Sequence, residues 1–133
     1  MTLSNSQKLL IVDDEPTINE TLGMIFRRRG YQVFSARRGD EAMKLLKELT
    51  PDFAILDVAL PDMSGIEIAI WIRAQLPNCK FLLFSGNQGT IDALEEAKSR
   101  GHEFDVIAKP VPPLELIEAV ARLSDSRGPT SPG

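Results

Sequence analysis

Several features that mark large classes of proteins are scarce or missing in this chain of 133 residues. There is a single cysteine, Cys79, so no disulfide can form within the chain and no cysteine cluster can bind a metal. No apolar run reaches the length that spans a bilayer, and residues 1–7 lack the basic and apolar regions of a signal peptide. A formal net charge of −4 argues against non-specific binding to nucleic acid or to anionic membranes. These absences predict a cytoplasmic protein.

The composition is that of an ordinary soluble domain, with 43% hydrophobic and 26% charged residues. The length suits one domain with a buried core. We expect a polar lead-in over residues 1–7, the domain over residues 8–123, and a disordered tail over residues 124–133, where Ser, Gly, Pro and Thr dominate. The tail is too short to form a second domain, but its composition also suits a linker, so we expect either a stand-alone domain or one excised from a longer protein.

Five short apolar runs alternate with five segments in which apolar residues recur at helical spacing. The runs, which we predict to be strands, are residues 8–12, 31–35, 53–56, 80–84 and 104–108. Pro16, Gly30 and Gly101 mark helix ends, and Ser64 with Glu67 forms a capping-box signature. Because the strands are apolar throughout rather than alternating, they favour a parallel sheet with helices on both faces.

Apolar positions in two of the helices predict which side packs on the sheet. In the helix after Ser64, the expected inward stripe is Ile68, Ala69, Ile72 and Leu76, and Ile66, Ile70 and Trp71 fall outside it. In the helix before Gly101, the expected inward residues are Ile91, Leu94 and Ala97. Trp71 either packs in the ordinary way or marks a contact patch.

Polar side chains follow four of the five predicted strands. They are Asp13 and Asp14 after the first strand, Asp57 after the third, Ser85 after the fourth and Lys109 after the fifth. The carboxyl ends of parallel strands lie at one edge of a sheet, where open α/β sheets bind their ligands. The second strand ends without a comparable group, which favours strands 1, 3, 4 and 5 as neighbours with strand 2 outside.

Three carboxylates at one edge repel one another unless a cation relieves them. Mg²⁺ prefers oxygen ligands and keeps several waters, so it suits such a cluster. A carboxylate can act as a nucleophile and form an aspartyl-phosphate, which is the role we predict for Asp57. Ser85 and Lys109 would then contact the phosphoryl oxygens, because this chemistry depends on positioning and charge neutralisation. The residues therefore suffice for phosphoryl transfer onto Asp57.

The chain resembles the receiver domain of bacterial two-component response regulators over about residues 8–123. The motifs that carry the resemblance are Leu-Leu-Ile-Val-Asp13-Asp14-Glu-Pro, Ile-Leu-Asp57-Val-Ala-Leu-Pro-Asp-Met-Ser-Gly65, Phe-Ser85-Gly and Ala-Lys109-Pro110. Each is common alone, but the four in this order are highly specific. The resemblance implies a flavodoxin-like α/β fold, with a doubly wound five-stranded parallel sheet of order 2-1-3-4-5 and five helices.

The resemblance also implies a metal site for Mg²⁺ or Mn²⁺. Asp14 matches the direct ligand, Asp13 a ligand that acts through water, and Asp57 the phosphoacceptor. The backbone carbonyl of Ala59 matches the third protein ligand.

Two further residues take roles from the same resemblance. Ser85 matches the serine or threonine whose side chain moves toward the phosphoryl group once that group is attached. Lys109 matches the lysine that the family has at this position. The bond between Lys109 and Pro110 is implied to be cis.

The implied partners are a histidine kinase or histidine phosphotransfer protein as donor, and a downstream effector protein as output. A homodimer would use the face of helix 4, strand 5 and helix 5. Direct binding of nucleic acid or membrane is not expected. The domain would catalyse only its own phosphorylation and slow dephosphorylation, so we do not expect an enzyme.

The sequence departs from the family pattern near strand 5. Val106 occupies the position of an aromatic residue that turns inward in relatives, and Phe104 is the nearest aromatic. The interval between Ser85 and Lys109 is about two residues longer than usual. Ala59 and Asn87 occupy positions that tune the lifetime of the phosphoryl group in relatives. Ala59 cannot hydrogen-bond an attacking water, whereas Asn87 could orient one, so the two residues give opposite indications of that lifetime.

Three functions stay open on the sequence. The first is a phosphoacceptor receiver, and the second is a receiver-shaped binding module regulated without phosphorylation, which Val106 allows. The third is a phosphohydrolase with an aspartyl intermediate. Such enzymes use a second acid two residues after the nucleophile, where this chain has Ala59, so turnover on small substrates is not expected.

Overall fold

The computed structural model describes residues 7–86 and 90–125. Its five parallel strands are β1 (Lys8–Val12), β2 (Gln32–Ala36), β3 (Phe53–Asp57), β4 (Lys80–Ser85) and β5 (Val106–Ala108). Their order in the sheet is β2-β1-β3-β4-β5, which confirms the predicted order. The helices are α1 (Pro16–Arg28), α2 (Gly39–Leu49), α3 (Gly65–Gln75), α4 (Thr90–Ser99) and α5 (Pro113–Asp125).

The sheet has a hydrophobic layer on each face. On one face, Leu9 and Ile11 of β1 and Ile55 of β3 pack with Phe26 of α1 and Leu116 of α5. On the other face, the alternate residues of the same strands pack with α2, α3 and α4. All five residues of β3 are buried, since this central strand is covered on both faces.

The helix ends follow the predicted signals in most places. Pro16 begins α1, and Gly30 and Gly101 have positive φ angles of 95° and 92° after α1 and α4. The Oγ of Ser64 accepts a hydrogen bond from the backbone N–H of Ile66, so it caps α3. The predicted capping box is wrong, because the Glu67 carboxylate instead pairs with Arg100 at 2.8 Å.

Several strand and helix limits differ from those expected. β2 begins at Gln32 rather than at Tyr31, whose ring packs edge-on against Phe26 and Phe53. β5 begins at Val106, two residues later than expected. α5 reaches Asp125, so the boundary predicted at residue 124 falls within a helix. Residues 1–6 of the predicted lead-in and 126–133 of the predicted tail lie outside the described residues.

Two predictions about helix faces are wrong. Ile91 of α4 is 61% exposed instead of inward, while Leu94 is half-buried and Ala97 is buried, so α4 approaches the core along its length. Ile66 of α3 is buried instead of outside the stripe, because the first turn of α3 lies against the end of β3. Trp71 is half-buried and packs against the core, which agrees with ordinary packing.

Candidate functional site

The five predicted polar side chains lie at the carboxyl edge of the sheet, and four of them are withdrawn from solvent. Asp13 is 0% exposed and Asp57 is 4% exposed, and Ser85 is buried beside them at the end of β4. Lys109 follows β5 and is partly buried, whereas Asp14 is exposed. The sheet order explains this arrangement, because β1, β3, β4 and β5 are consecutive neighbours.

The ammonium group of Lys109 joins the two buried carboxylates. Its Nζ lies 3.0 Å from Asp13 Oδ2, 3.1 Å from Asp57 Oδ2 and 3.6 Å from Glu15 Oε1. It also lies 4.6 Å from the centre of the Phe84 ring. The backbone N–H of Lys109 donates to the Ser85 carbonyl at 2.9 Å, and the bond to Pro110 is cis, as implied. The lysine is therefore fixed at both its backbone and its charged end.

Burial and charge act in opposite directions on Asp57. Burial raises the pKa of Asp57 above its ordinary value, and the nearby Asp13 carboxylate raises it further. The Ala59 backbone N–H, which donates to Asp57 Oδ1 at 3.1 Å, and the Lys109 ammonium lower it in part. For Lys109, burial opposes the charge, but the hydrogen bonds to the two aspartates outweigh this effect and raise its pKa.

The acidic residues at this edge form a cluster that fits a divalent cation. One carboxylate oxygen from each of Asp13, Asp14 and Asp57 lies within 4.8 Å of the others, and no other such group occurs among the described residues. Lys109 supplies one positive charge to a site that also contains Glu15, so negative charge is in excess. Hard oxygen donors with excess negative charge are what Mg²⁺ prefers. The role of the Ala59 carbonyl as a ligand stays a prediction.

A glycine allows α3 to begin directly beside Asp57. A Cβ atom at Gly65 would collide with the Asp57 carbonyl oxygen, and the Gly65 N–H donates to the Val58 carbonyl at 2.9 Å. A side chain at this position would therefore displace the loop that carries Asp57.

Two polar residues that the sequence did not single out brace the loops of the site. Asn19 of α1 is 4% exposed, and its Nδ2 donates to the carbonyls of Asp13 at 2.9 Å and Ala36 at 3.0 Å. Asp62 accepts hydrogen bonds from the N–H groups of Gly39 at 2.7 Å and Asp40 at 2.9 Å. Asp62 thus caps α2 from the loop that follows Asp57.

Of the two residues, Asn19 alone left a usable sequence signal. It stands three residues before Leu22 and seven before Phe26, so it is a polar residue on the apolar stripe of α1. Asp62 acts on a helix that precedes it in the chain, and no local pattern marks such a contact.

An apolar cavity of about 470 Å³ opens beside Lys109. Ile18 and Leu22 of α1 form one wall, and Val111 and Leu116 form the other, with Phe84 also lining the cavity. The site therefore adjoins a groove between α1 and α5.

Val106 and Phe104, where the sequence departs from the family pattern, lie in and just before β5. Val106 is half-buried and pairs with Leu83 in the sheet. Phe104 lies before the strand. The Arg73 guanidinium carbon of α3 lies 4.2 Å from the centroid of the Phe104 ring, and the Phe81 ring centroid lies 5.9 Å from it. Phe104 is thus held among α3 and β4 residues. Asn87 lies outside the described residues.

A family model for the response regulator receiver domain matches residues 9–121. The chain belongs to this family. The receiver is 32% identical over 117 residues to the sporulation initiation phosphotransferase F of Bacillus subtilis, which covers 88% of this chain and 93% of that protein. It is 31% identical over 118 residues to the DNA-binding response regulator MtrA of Mycolicibacterium smegmatis, which covers 88% of this chain and 50% of that protein. The chain therefore spans about half the length of DNA-binding relatives such as MtrA.

Solved receiver structures agree with this assignment. A CheY-like receiver domain protein from Methanospirillum hungatei has a TM-score of 0.79 at 26% identity, covering 92% of this chain and 98% of that one. The response regulator TrrA of Thermotoga maritima, solved in complex with Mg²⁺ and BeF, has a TM-score of 0.74 at 31% identity, covering 88% of this chain and 98% of that one. The receiver domain is a signalling module of two-component systems, and the fold is CheY-like, which is a flavodoxin-like fold. Within the described part of the chain, no helix is long and apolar enough to span a bilayer.

Proposed function

We propose that this receiver accepts a phosphoryl group on Asp57 from a phosphohistidine, in a Mg²⁺-dependent reaction, and signals through a partner protein. The observation that carries the proposal is the Lys109 ammonium, which lies 3.0 Å from Asp13 and 3.1 Å from Asp57 in a largely buried site. Such an arrangement concentrates acids and a cation around one carboxylate at the end of the central strand.

In this reaction, a carboxylate oxygen of Asp57 attacks the phosphorus in line with the donor nitrogen. The bond between phosphorus and nitrogen breaks as the new bond between phosphorus and oxygen forms, and the imidazole leaves with the proton on its other nitrogen. Lys109 holds the carboxylate before transfer and can pair with a phosphoryl oxygen afterwards. Ser85, which stands one residue beyond the register partner of Asp57 in β4, would donate its hydroxyl proton to another phosphoryl oxygen.

We propose Asp13, Asp14, Asp57 and the Ala59 carbonyl as the groups that hold Mg²⁺ (or Mn²⁺). When bound, the ion would supply positive charge to offset the negative charge that gathers on the phosphoryl oxygens. The Ala59 N–H already donates to Asp57 Oδ1, so the attacking carboxylate is oriented by the chain itself. Asp13 is buried and Asp14 is exposed. This difference suits Asp13 as the ligand that acts through a bound water and Asp14 as the direct ligand of an ion that arrives from solvent.

The phosphodonor, a histidine kinase or histidine phosphotransfer protein, would dock in the apolar groove between α1 and α5. This groove borders Lys109, so a donor seated there would bring its phosphohistidine to the mouth of the site. The output would pass through an effector protein or a homodimer that uses the face of α4, β5 and α5. Two exposed apolar side chains, Ile91 of α4 and Leu114 of α5, stand in the helices that would form this surface, which supports the proposal.

The remaining parts of the proposal concern the whole chain. Residues 8–123 form the receiver domain, the protein acts in the cytoplasm, and it does not bind nucleic acid directly. Its chemistry is limited to its own phosphorylation and slow dephosphorylation, since Ala59 stands where a hydrolase would have a second acid.

Intact-protein mass spectrometry tests this function. The protein and its Asp57→Asn variant are incubated with acetyl phosphate, with Mg²⁺ or with EDTA. We expect a gain of one phosphoryl group in the unmodified protein with Mg²⁺ alone. No gain with acetyl phosphate or with a panel of histidine kinases would refute the proposal and favour a binding module that works without phosphorylation. Rapid, continuous release of phosphate from small esters would instead identify a hydrolase.

A further inference from the structure

Asn19 is a polar side chain on the buried side of an amphipathic helix. Its neighbours on the same side of α1 are Leu22, Gly23 and Phe26, all of which are buried. Polar side chains in such positions are buried only when their hydrogen-bonding groups find partners. The partners of Asn19 show what the residue does.

Both donor contacts of the Asn19 amide go to the ends of strands. Nδ2 donates to the Asp13 carbonyl, directly after β1, and to the Ala36 carbonyl, at the end of β2. The Ala36 carbonyl also accepts the Asp13 N–H at 3.1 Å. Asn19 therefore fastens the turn that carries the acidic pair to the edge strand of the sheet.

The contact with the Asp13 carbonyl fixes more than one residue. That carbonyl and the Asp14 N–H belong to the same planar peptide unit, so holding the oxygen sets the direction in which the chain enters Asp14. The other polar atoms of Asp13 are engaged as well. Its Oδ1 accepts the Glu15 N–H at 2.9 Å, and its Oδ2 contacts Lys109. The Asn19 contact completes this set.

The orientation of the amide is determined by its surroundings. If the amide were turned over, Oδ1 would face two carbonyl oxygens, so the nitrogen must point toward them. In this orientation Oδ1 has no partner, and it is the one buried side-chain nitrogen or oxygen of the described residues in this state. A buried acceptor without a partner is unfavourable for folding. The residue is therefore explained better by the geometry that its nitrogen imposes than by stability.

We propose that Asn19 is a positioning residue for the metal site. By orienting the peptide between Asp13 and Asp14, it makes the two carboxylates converge with that of Asp57. Its oxygen and nitrogen are not ligands themselves. This inference rests on the Mg²⁺ site of the proposed function.

Mg²⁺ titrations followed by backbone amide NMR spectra test the proposal on the full chain. Asn19→Leu has a similar size but donates no hydrogen bond, and Met24→Ala on the exposed side of the same helix is the control. We expect Asn19→Leu to weaken Mg²⁺ binding by roughly 10- to 100-fold, as is usual for residues that support a metal ligand. Met24→Ala should bind Mg²⁺ as the unmodified protein does. Urea unfolding in EDTA reports separately on the fold.

The outcomes separate this inference from the proposed function. If the unmodified protein does not bind Mg²⁺, the metal site of the proposed function fails and the role of Asn19 fails with it. If the unmodified protein binds Mg²⁺ and Asn19→Leu binds it within twofold, the role of Asn19 alone is refuted, whatever happens to the urea midpoint. If Asn19→Leu does not fold, the role of Asn19 is tested by side-chain amide NMR signals of the unmodified protein. Mg²⁺ should then shift the Asn19 side-chain amide protons more than those of the exposed Asn78, and equal shifts would overturn the proposal.

Discussion

Replacing Lys109 with methionine removes the cation that lies between two buried carboxylates while keeping much of the side-chain volume. Asp13 and Asp57 would then face each other without the ammonium that now lies 3.0 and 3.1 Å from them. Removing one partner of a buried ion pair destabilises a protein by about 3 to 5 kcal/mol. Because Lys109 is partly exposed, we expect the lower end, about 3 kcal/mol. For a domain of this size, that corresponds to a fall in Tm of roughly 10 °C.

The loss should depend on pH in a direction that the site determines. Burial raises the pKa of Asp57 above its unfolded value, so the folded protein gains stability as pH falls through that pKa. Without Lys109, Asp57 loses the charge that lowers its pKa, and this gain in stability at low pH should become larger. Conversely, the raised pKa of Lys109 means that its stabilising contribution is present below its unfolded pKa and is lost as pH rises through its folded pKa.

Thermal unfolding followed by circular dichroism in EDTA, at pH 7.5 and pH 5, measures these effects. Lys44→Met, on the exposed surface of α2, is the control and should change the free energy of unfolding by less than about 0.5 kcal/mol. The difference between Lys109→Met and the unmodified protein should shrink at pH 5. Adding Asp57→Asn to Lys109→Met should restore much of the Tm. A Lys109→Met protein with an unchanged Tm, or with the same loss at both pH values, would refute the electrostatic reasoning.

Three further results are expected. Gly65→Ala should lower the free energy of unfolding by about 2 kcal/mol in urea titrations, because its methyl group meets the Asp57 carbonyl, and an unchanged midpoint would contradict this contact. Burial raises the pKa of Cys79 to about 12, so at pH 8 a disulfide reagent should modify it at least about a hundredfold more slowly in the folded protein than in urea; equal rates would show that the thiol is accessible. The N–H groups of Gly39 and Asp40 lower the pKa of Asp62, so its stabilising contribution is present above its unfolded pKa. The difference in Tm from Asp62→Ala should therefore shrink as pH falls through the folded pKa, and a difference that is constant with pH would contradict this capping contact.

The strand order and the meeting of distant side chains could be predicted because they depend on simple geometry. Asp57 and Lys109 are 52 positions apart, yet each follows a parallel strand, and such strands end at one edge. The uniformly apolar character of the strands was enough to predict a parallel sheet with helices on both faces. The four motifs at the predicted strand ends then indicated the receiver family, which the family model confirms.

The contacts that brace the site could not be predicted in the same way. Asn19 and Asp62 bind backbone groups of other segments, from 6 to 23 positions away in the chain, and backbone groups are the same at every position. The buried faces of the helices could also be predicted only in part. Periodicity gives the side of a helix that faces the core but not the depth at each turn, which is why Ile91 was expected inside and lies outside.

The backbone pairing of β5 bears on how the site opens. This strand has three residues and, within residues 7–86 and 90–125, pairs with β4 alone, at the edge of the sheet. Segments with few backbone hydrogen bonds open locally at a lower free energy than the global unfolding of a domain. In hydrogen exchange, β5 should therefore lose its amide protons before β1 and β3 do. Since Lys109 follows β5 directly, a local opening of this strand would withdraw the ammonium from Asp57 while the acidic cluster on β1 and β3 stays folded.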